Sequence, residues 1–209
     1  MNEILNPLML NVRKYRVDSA GFESVEVPFG LTAYDFLEFA GQDLQEEHER
    51  SSVNALSNIK RCIDCLCDSL LYVMNYLKKS KKEKLGFPGK IDLLGKLGII
   101  TPYILRKINS MRNLLEHEFQ RPKREDVENA FDVATLFYHA TGRFTRRFPS
   151  EFTMFSVDND NFVFAIEFDR KKHKIKIIDD EEKSQEFGEE TKEYLEWLKI
   201  FFEIQYFLV

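Results

Sequence analysis

The sequence predicts a mainly α-helical fold: an antiparallel helical bundle followed by a C-terminal three-stranded antiparallel β-meander and a final helix. The first observation is that aliphatic side chains recur alternately three and four residues apart from Leu56 to Leu77, which is the heptad pattern of packed helices. The second is a change of period after Pro149. Large apolar residues then occupy every second position from Phe162 to Phe168, as in a half-buried strand.

The N-terminal segment carries weak strand signals and then a helix start. Strand character is present in Val12–Tyr15 and in Phe22–Phe29. The small and polar residues Asp18–Gly21 between them are typical of a turn. Thr32 is a suitable N-cap for a short helix over Tyr34–Leu44.

The clearest helix is expected over residues 49–79, and it ends in the basic run Lys78–Lys84. Cations are favourable at a helix C-terminus, and the same lysines are candidates for contacts to a phosphate backbone. Phe87–Gly89 is then predicted as a turn and Ile91–Leu97 as a short helix.

Thr101 and Pro102 predict the start of the next helix, as its N-cap and first residue. This helix is expected to run to about Phe119, since Pro122 stops it. A further helix is predicted from Glu125 to about Thr141.

The C-terminal part is predicted to contain the meander and the final helix. Its three strands are Thr153–Val157, Phe162–Phe168 and Lys174–Ile178, and Asp179–Glu182 is an acidic loop. An amphipathic helix follows from Thr191 to about Phe207, and its apolar face would cover the meander or a partner chain.

These elements divide the chain into three parts. Residues 1–31 form an irregular or strand-forming N-terminal segment, residues 32–147 form the helical bundle, and residues 148–209 form the β-meander with the C-terminal helix.

Length and composition place the chain among globular proteins. It has 209 residues, of which 44% are hydrophobic, which is enough for a substantial core. It contains no apolar run of transmembrane length and no signal-peptide pattern, so no membrane partner is expected. The three cysteines, Cys62, Cys65 and Cys67, lie on one predicted helix and are interpreted as reduced, mostly buried thiols, with metal binding as the alternative. Together these features predict a cytoplasmic protein.

The net charge of −5 is unevenly distributed. Residues 51–150 carry 18 basic and 10 acidic side chains, a net charge of +8, whereas the two flanks together carry 12 basic and 25 acidic side chains, a net charge of −13. A basic central block suits a polyanionic partner such as RNA. Charged surfaces that serve only solubility remain an alternative interpretation.

The segment Ser110–Phe119 gathers an arginine, an asparagine, a glutamate and a histidine within two helical turns. The predicted apolar stripe of this helix consists of Ile104, Ile108, Met111 and Leu115, with Phe119 at its edge. The opposite polar face consists of Arg106, Ser110, Asn113 and His117. Asn113 and His117 are one turn apart and therefore neighbours. Arg112 and His117 are separated by about 140° around the axis, so a second subunit or a helix irregularity is needed to bring both to one phosphate.

Two interpretations of this segment stay open. In the first, Arg112 and Glu116 form a solvated ion pair and His117 is a surface histidine. In the second, the arginine and the histidine form a site for cleaving RNA without a metal ion. A histidine transfers protons near neutral pH, an arginine binds a phosphate through two hydrogen bonds, and the ribose 2′-hydroxyl supplies the nucleophile. The sequence lacks a phosphate-binding glycine-rich loop, a dinucleotide fingerprint, a zinc-binding histidine pair and a nucleophile elbow.

The segment resembles the HEPN superfamily, whose helical-bundle domains carry an arginine, a polar residue, a few more residues and then a histidine. Here Arg112, Asn113 and His117 match that motif. It is preceded by Leu97-Gly98-Ile99 and followed by Arg121-Pro122, as in the superfamily. The resemblance covers the predicted helical bundle.

The resemblance implies a metal-independent endoribonuclease of the toxin, defence or RNA-processing type that acts as a homodimer and uses no cofactor. The implied catalytic residues are Arg112, Asn113 and His117, and the implied substrate-binding residues are Arg106, Ser110, Glu116, Asn58 and Arg61. The alternative is a catalytically silent HEPN module that binds a nucleotide, RNA or a protein partner such as an antitoxin or a nucleotidyltransferase. A purely structural helical protein is the third hypothesis.

Overall fold

The computed structural model describes residues 6–206, which fold into seven α-helices and five β-strands. The helices are α1 (Ala33–Gln45), α2 (Ser51–Val73), α3 (Leu77–Lys82), α4 (Phe87–Lys96), α5 (Pro102–Glu118), α6 (Arg124–Arg146) and α7 (Lys192–Tyr206). The strands are β1 (Tyr15–Glu23), β2 (Phe148–Ser156), β3 (Phe162–Asp169), β4 (Lys174–Asp179) and β5 (Ser184–Gly188). A short 3-10 helix, Val12–Lys14, precedes β1.

The predicted fold class is wrong in its β part. The protein has an α+β fold with a five-stranded sheet, not a mainly α fold with a three-stranded meander. The strand order is β1-β2-β3-β4-β5, and all neighbouring strands are antiparallel. β2, β3 and β4 correspond to the predicted meander, while β1 and β5 add one strand to each edge.

The sequence did not predict β1 as one strand, because the residues that resemble a turn form bulges inside it. The pairing with β2 shifts register between Val17 and Ser19 and again between Gly21 and Phe22. At Gly21 a Cβ atom would lie 2.7 Å from Cγ of the Glu151 side chain, so a larger residue here would require that side chain to move. The partner strand follows only after six helices, and such a distant pairing leaves no local pattern.

The predicted acidic loop is a hairpin turn that leads into β5. Oδ1 of Asp179 accepts hydrogen bonds from the backbone N–H groups of Glu181 (3.0 Å) and Lys183 (2.8 Å). Glu182 adopts a left-handed conformation with φ of 60°. Because β5 itself is mostly polar, its sequence shows no apolar alternation from which a strand could be predicted.

In the sequence, the helical block is inserted between β1 and β2, which are neighbouring strands of the sheet. The chain leaves the sheet after β1, forms α1 to α6 and returns as β2, which sets Tyr15 opposite Ser156 and Glu23 opposite Phe148. The residues before and after the helical block therefore share one sheet.

α7 covers one face of this sheet, which is one of the two predicted alternatives for its apolar side. The residues predicted to face inward are all fully buried: Tyr194, Trp197, Leu198, Phe201 and Ile204. The Phe201 ring lies 4.8 Å from that of Phe152 and 6.0 Å from that of Phe168, measured between centroids. The hydroxyl of Tyr194 donates to the backbone oxygen of Met74 at 2.8 Å, which joins the sheet layer to the end of α2.

α2 is the central helix of the helical block, and its predicted seam is confirmed. Every heptad position is buried: Leu56, Ile59, Ile63, Leu66, Leu70, Val73 and Leu77. The helix ends at Val73, earlier than predicted, because Asn75 adopts a left-handed conformation with φ of 56° and α3 begins at Leu77. Phe87–Gly89, predicted as a turn, forms the first turn of α4 instead.

The three cysteines are free thiols, as predicted; Cys62 and Cys67 are buried and Cys65 is half-buried. Burial raises the pKa of Cys62 to about 12 and that of Cys65 to about 11. None of the helices within residues 6–206 is both long enough and apolar enough to cross a lipid bilayer.

Candidate functional site

The helix that carries the Arg-Asn-x3-His segment has defined ends. Pro102 is its first residue, as predicted, and Thr101 is its N-cap residue. At the other end Phe119 adopts a left-handed conformation with φ of 54°, and its N–H group donates to the backbone oxygen of Leu114. The N–H group of Gln120 donates to the same oxygen at 3.2 Å. The segment therefore occupies the last turns of a helix that stops before Pro122.

The apolar side of α5 fixes how the helix faces the core. Leu105 and Ile108 are buried, while Met111 and Leu115 are half-buried against the core. Ile104, which was predicted on this stripe, is 38% exposed, and Leu105 takes its place. The opposite face of the helix is consequently turned to solvent.

The predicted polar face of α5 is exposed along its whole length. Asn113 and His117 are both exposed and lie one turn apart, so their side chains are neighbours. Ser110 is also exposed, and its Oγ donates to the backbone oxygen of Arg106 at 3.0 Å. The Arg106 guanidinium forms an ion pair with Asp92 of α4. Arg106 and Ser110 thus already have partners within the chain.

Arg112 lies on a different side of the helix from His117. It is half-buried, whereas His117 is exposed, in accordance with the separation of about 140° that five helical residues produce. A single chain therefore does not bring the guanidinium and the imidazole onto one face. The side chain of Glu116 lies outside the described residues, and so does its predicted ion pair with Arg112.

Asn58 and Arg61 of α2 form a chain of hydrogen bonds toward α1. Nδ2 of Asn58 donates to Oδ2 of Asp43 at 2.9 Å, and Nη1 of Arg61 donates to Oδ1 of Asn58 at 3.0 Å. Among the hydrogen bonds of the described residues, none joins either side chain to α5. Asn58 therefore connects α2 to α1, while Arg61 bonds to Asn58 within α2.

Sequence reasoning missed a group of exposed apolar side chains around the polar face of α5. Tyr103 is 78% exposed and Leu114 is 40% exposed. Phe119, predicted at the edge of the apolar stripe, is 88% exposed because it lies beyond the last helical residue, Glu118. From the helical repeat, Tyr103 and Leu114 lie within about 60° of His117 around the axis. The exposure of Tyr103 and Leu114 could have been predicted from the helical wheel, which places both outside the apolar stripe.

The arrangement offers an accessible imidazole beside an amide, with a guanidinium about 140° away around the same helix. An imidazole can take up or release a proton, an amide can orient it or bind a phosphate oxygen, and a guanidinium can hold a phosphate. Comparisons of this chain with protein-family models, curated proteins and solved structures found no match. The resemblance to the HEPN superfamily therefore depends on the motif residues and their helical context.

Proposed function

We propose that this chain is a HEPN-like endoribonuclease that acts as a homodimer through Arg112, Asn113 and His117. The observation that carries the proposal is the position of Asn113 and His117 as exposed neighbours near the end of α5, with Arg112 five positions from the histidine. The basic central part of the sequence, with a net charge of +8 over residues 51–150, supports an RNA substrate.

The proposed reaction is an internal transesterification of RNA. The imidazole of His117 removes the proton of a ribose 2′-hydroxyl, and the 2′-oxygen attacks the adjacent phosphorus. The bond from phosphorus to the 5′-oxygen breaks, and that oxygen leaves with a proton from the protonated imidazole of the second subunit or from water. The products are a 2′,3′-cyclic phosphate and a 5′-hydroxyl. Arg112 would stabilise the charge that develops on the phosphate oxygens.

A homodimer explains how residues on two sides of one helix can act together. A two-fold axis near the end of α5 would set Arg112 of one copy beside His117 of the other. Tyr103, Leu114 and Phe119 are exposed around this face and supply apolar surface that a second copy can cover.

The test is cleavage of single-stranded and structured RNA by the purified protein in the presence of EDTA. His117→Ala should lower the rate by at least about 100-fold, because general acid–base catalysis contributes that much. His48→Ala is the matched control, since His48 is an exposed histidine in the connection between α1 and α2. Cleavage that survives His117→Ala, or that His48→Ala abolishes equally, would contradict the proposal. The rate per chain should also fall on dilution through the dimer dissociation constant.

The second candidate is a catalytically silent module that binds a nucleotide, RNA or a protein partner. Two observations support it: the acidic flanks of the sequence, with a net charge of −13, and the exposed apolar residues Tyr103, Leu114 and Phe119. Expression in a host cell separates the two candidates. Growth arrest that Arg112→Ala relieves favours the ribonuclease, and normal growth with tight capture of a partner favours the silent module.

A further inference from the structure

A concave basic surface lies where the helical block meets the sheet. This cleft has a volume of about 760 Å³. Three parts of the chain surround it: the segment from Glu23 to Phe29 after β1, the end of α2 with α3, and the turn between β3 and β4. The volume is within the range of small-molecule binding sites.

Three lysines of the cleft lack a carboxylate partner within the described part of the chain. Lys78 and Lys81 lie one turn apart on α3, and Lys171 lies in the turn between β3 and β4. Two neighbouring lysines, Lys79 and Lys172, are engaged elsewhere, whereas Lys82 is exposed outside the cleft. Nζ of Lys79 donates to the backbone oxygen of Glu189 at 2.7 Å, and Nζ of Lys172 lies 3.2 Å from Oδ2 of Asp169. Lys78, Lys81 and Lys171 are thus available to a ligand in the cleft.

Two carboxylates lie close to basic side chains of the lining. Glu23 is the acidic residue of the lining, and its Oε1 lies 3.8 Å from Nε of Arg170. His173 lies 3.3 Å from the carboxylate of Glu189. Glu23 is opposed by Arg170, so Lys78, Lys81 and Lys171 give the lining a local excess of positive charge.

One wall of the cleft is apolar and partly aromatic. Phe29 is half-buried there, beside Pro28 and Leu77. Tyr72 lines the same wall, and the guanidinium of Arg170 lies 5.5 Å from the centre of its ring. A flat aromatic group can pack on such a wall while its charged substituent reaches the lysines.

Contacts between the two layers hold the cleft in shape. Nδ2 of Asn75 donates to the backbone oxygen of Arg170 at 2.9 Å, and Nη2 of Arg170 donates to the backbone oxygen of Tyr72 at 3.5 Å. The backbone N–H of Lys171 donates to Oδ1 of Asp169 at 3.0 Å, which fixes the turn that carries it. The cations are therefore presented by a preformed surface, which lowers the entropic cost of binding.

We propose that this cleft binds a nucleoside phosphate, with the phosphates on Lys78, Lys81 and Lys171 and the base against Phe29. Lysine ammonium groups form charge-assisted hydrogen bonds with phosphate oxygens, and the aromatic wall distinguishes a nucleotide from a bare polyphosphate. The site is separate from α5 and does not depend on the proposed ribonuclease activity.

The test is equilibrium dialysis of the full chain against each of the four ribonucleoside triphosphates and against tripolyphosphate. At least one nucleotide should bind with a dissociation constant below about 1 mM and more tightly than tripolyphosphate. Lys78→Ala with Lys81→Ala should weaken binding by at least about tenfold, because two charge-assisted contacts are lost. The matched control is Lys82→Ala with Lys199→Ala, which removes the same charge from exposed lysines outside the cleft.

Two further variants make the outcome decisive. Phe29→Ala should weaken nucleotide binding and leave tripolyphosphate binding unchanged, whereas His117→Ala should leave both unchanged. Absence of binding by all four nucleotides overturns the proposal, as does equal weakening by the two lysine pairs. Loss of nucleotide binding in His117→Ala would place the ligand at α5 and would also overturn it. Circular dichroism of each variant confirms that the fold is retained.

Discussion

Lys90 connects α4 to α2, and its replacement by methionine should lower the free energy of unfolding measurably. Nζ of Lys90 lies 3.1 Å from Oδ1 of Asp64 and 2.6 Å from Oδ1 of Asp68, and its side chain is only 13% exposed. The two aspartates lie one helical turn apart on α2. Lys90→Met keeps most of the apolar stem but leaves two neighbouring carboxylates with a single cation, Lys60, which lies 3.1 Å from Asp64.

The expected loss is about 2 kcal/mol, between the value for an exposed ion pair and that for a buried one. Exposed pairs contribute about 0–1 kcal/mol, whereas removing one partner of a buried pair costs about 3–5 kcal/mol. The side chains of Asp64 and Asp68 are 32% and 25% exposed, so water partly screens the repulsion that Lys90→Met leaves behind.

The same cluster predicts how the loss depends on pH. Burial raises the pKa of Asp64, but Lys90 and Lys60 outweigh burial, and the pKa lies below its ordinary value. Burial lowers the pKa of Lys90, but Asp68 and Asp64 outweigh it, and the pKa lies above its ordinary value. The stabilisation is therefore present near neutral pH and is lost as pH falls through the lowered pKa of Asp64 or rises through the raised pKa of Lys90.

Urea denaturation followed by circular dichroism measures both effects. Lys172→Met is the control, because Lys172 is 68% exposed in its pair with Asp169 and should cost less than about 0.5 kcal/mol. A cost for Lys90→Met no larger than that of Lys172→Met would refute the reasoning. So would a cost that stays the same at about pH 3, where the aspartates of the unfolded chain are already mostly protonated.

Two further predictions concern the core and the cysteines. Phe201→Ala should lower the free energy of unfolding by about 3–5 kcal/mol, because the ring is fully buried among Phe148, Phe152 and Phe168. A loss below about 1 kcal/mol in urea denaturation, roughly the smallest cost of a core truncation, would contradict this packing. Burial raises the pKa of Cys65 from 9.0 to about 11, so iodoacetamide should alkylate it about 100-fold more slowly at pH 8 than in the urea-unfolded chain. The rate, followed by mass spectrometry, should rise toward pH 11. Equal rates in the folded and unfolded chains would disprove the shift.

Local sequence signals predicted most of the helices because their starts and apolar seams depend on a few neighbouring residues. Thr32 caps α1 together with Asp35, and Pro102 starts α5, as expected from their sequence. The break between α2 and α3 could not be predicted, since the apolar seam continues through it to Leu77. It depends on Asn75, whose side chain bonds to Arg170, a residue of the sheet layer.

The sheet could be predicted only where its strands follow one another closely. β3 shows the apolar alternation of a half-buried strand, whereas β1 contains two bulges and pairs across the whole helical block. The candidate residues of α5 were accessible to sequence reasoning for the same local reason, because one helical wheel places Asn113 and His117 together. The basic cleft is assembled from three distant parts of the chain, and no spacing in the sequence relates Phe29 to Lys171.

The shapes of the two surfaces determine what each of them still requires. Asn113 and His117 lie on the convex side of a helix, where water surrounds the imidazole and weakens every electrostatic contact to a phosphate. The proposed ribonuclease therefore needs a second copy over α5 to exclude water and to supply the opposing arginine. The cleft at Lys78 and Lys81 is concave within one chain and needs only its ligand. Dilution should consequently reduce RNA cleavage per chain while leaving nucleotide binding per chain unchanged, because only the first site depends on association.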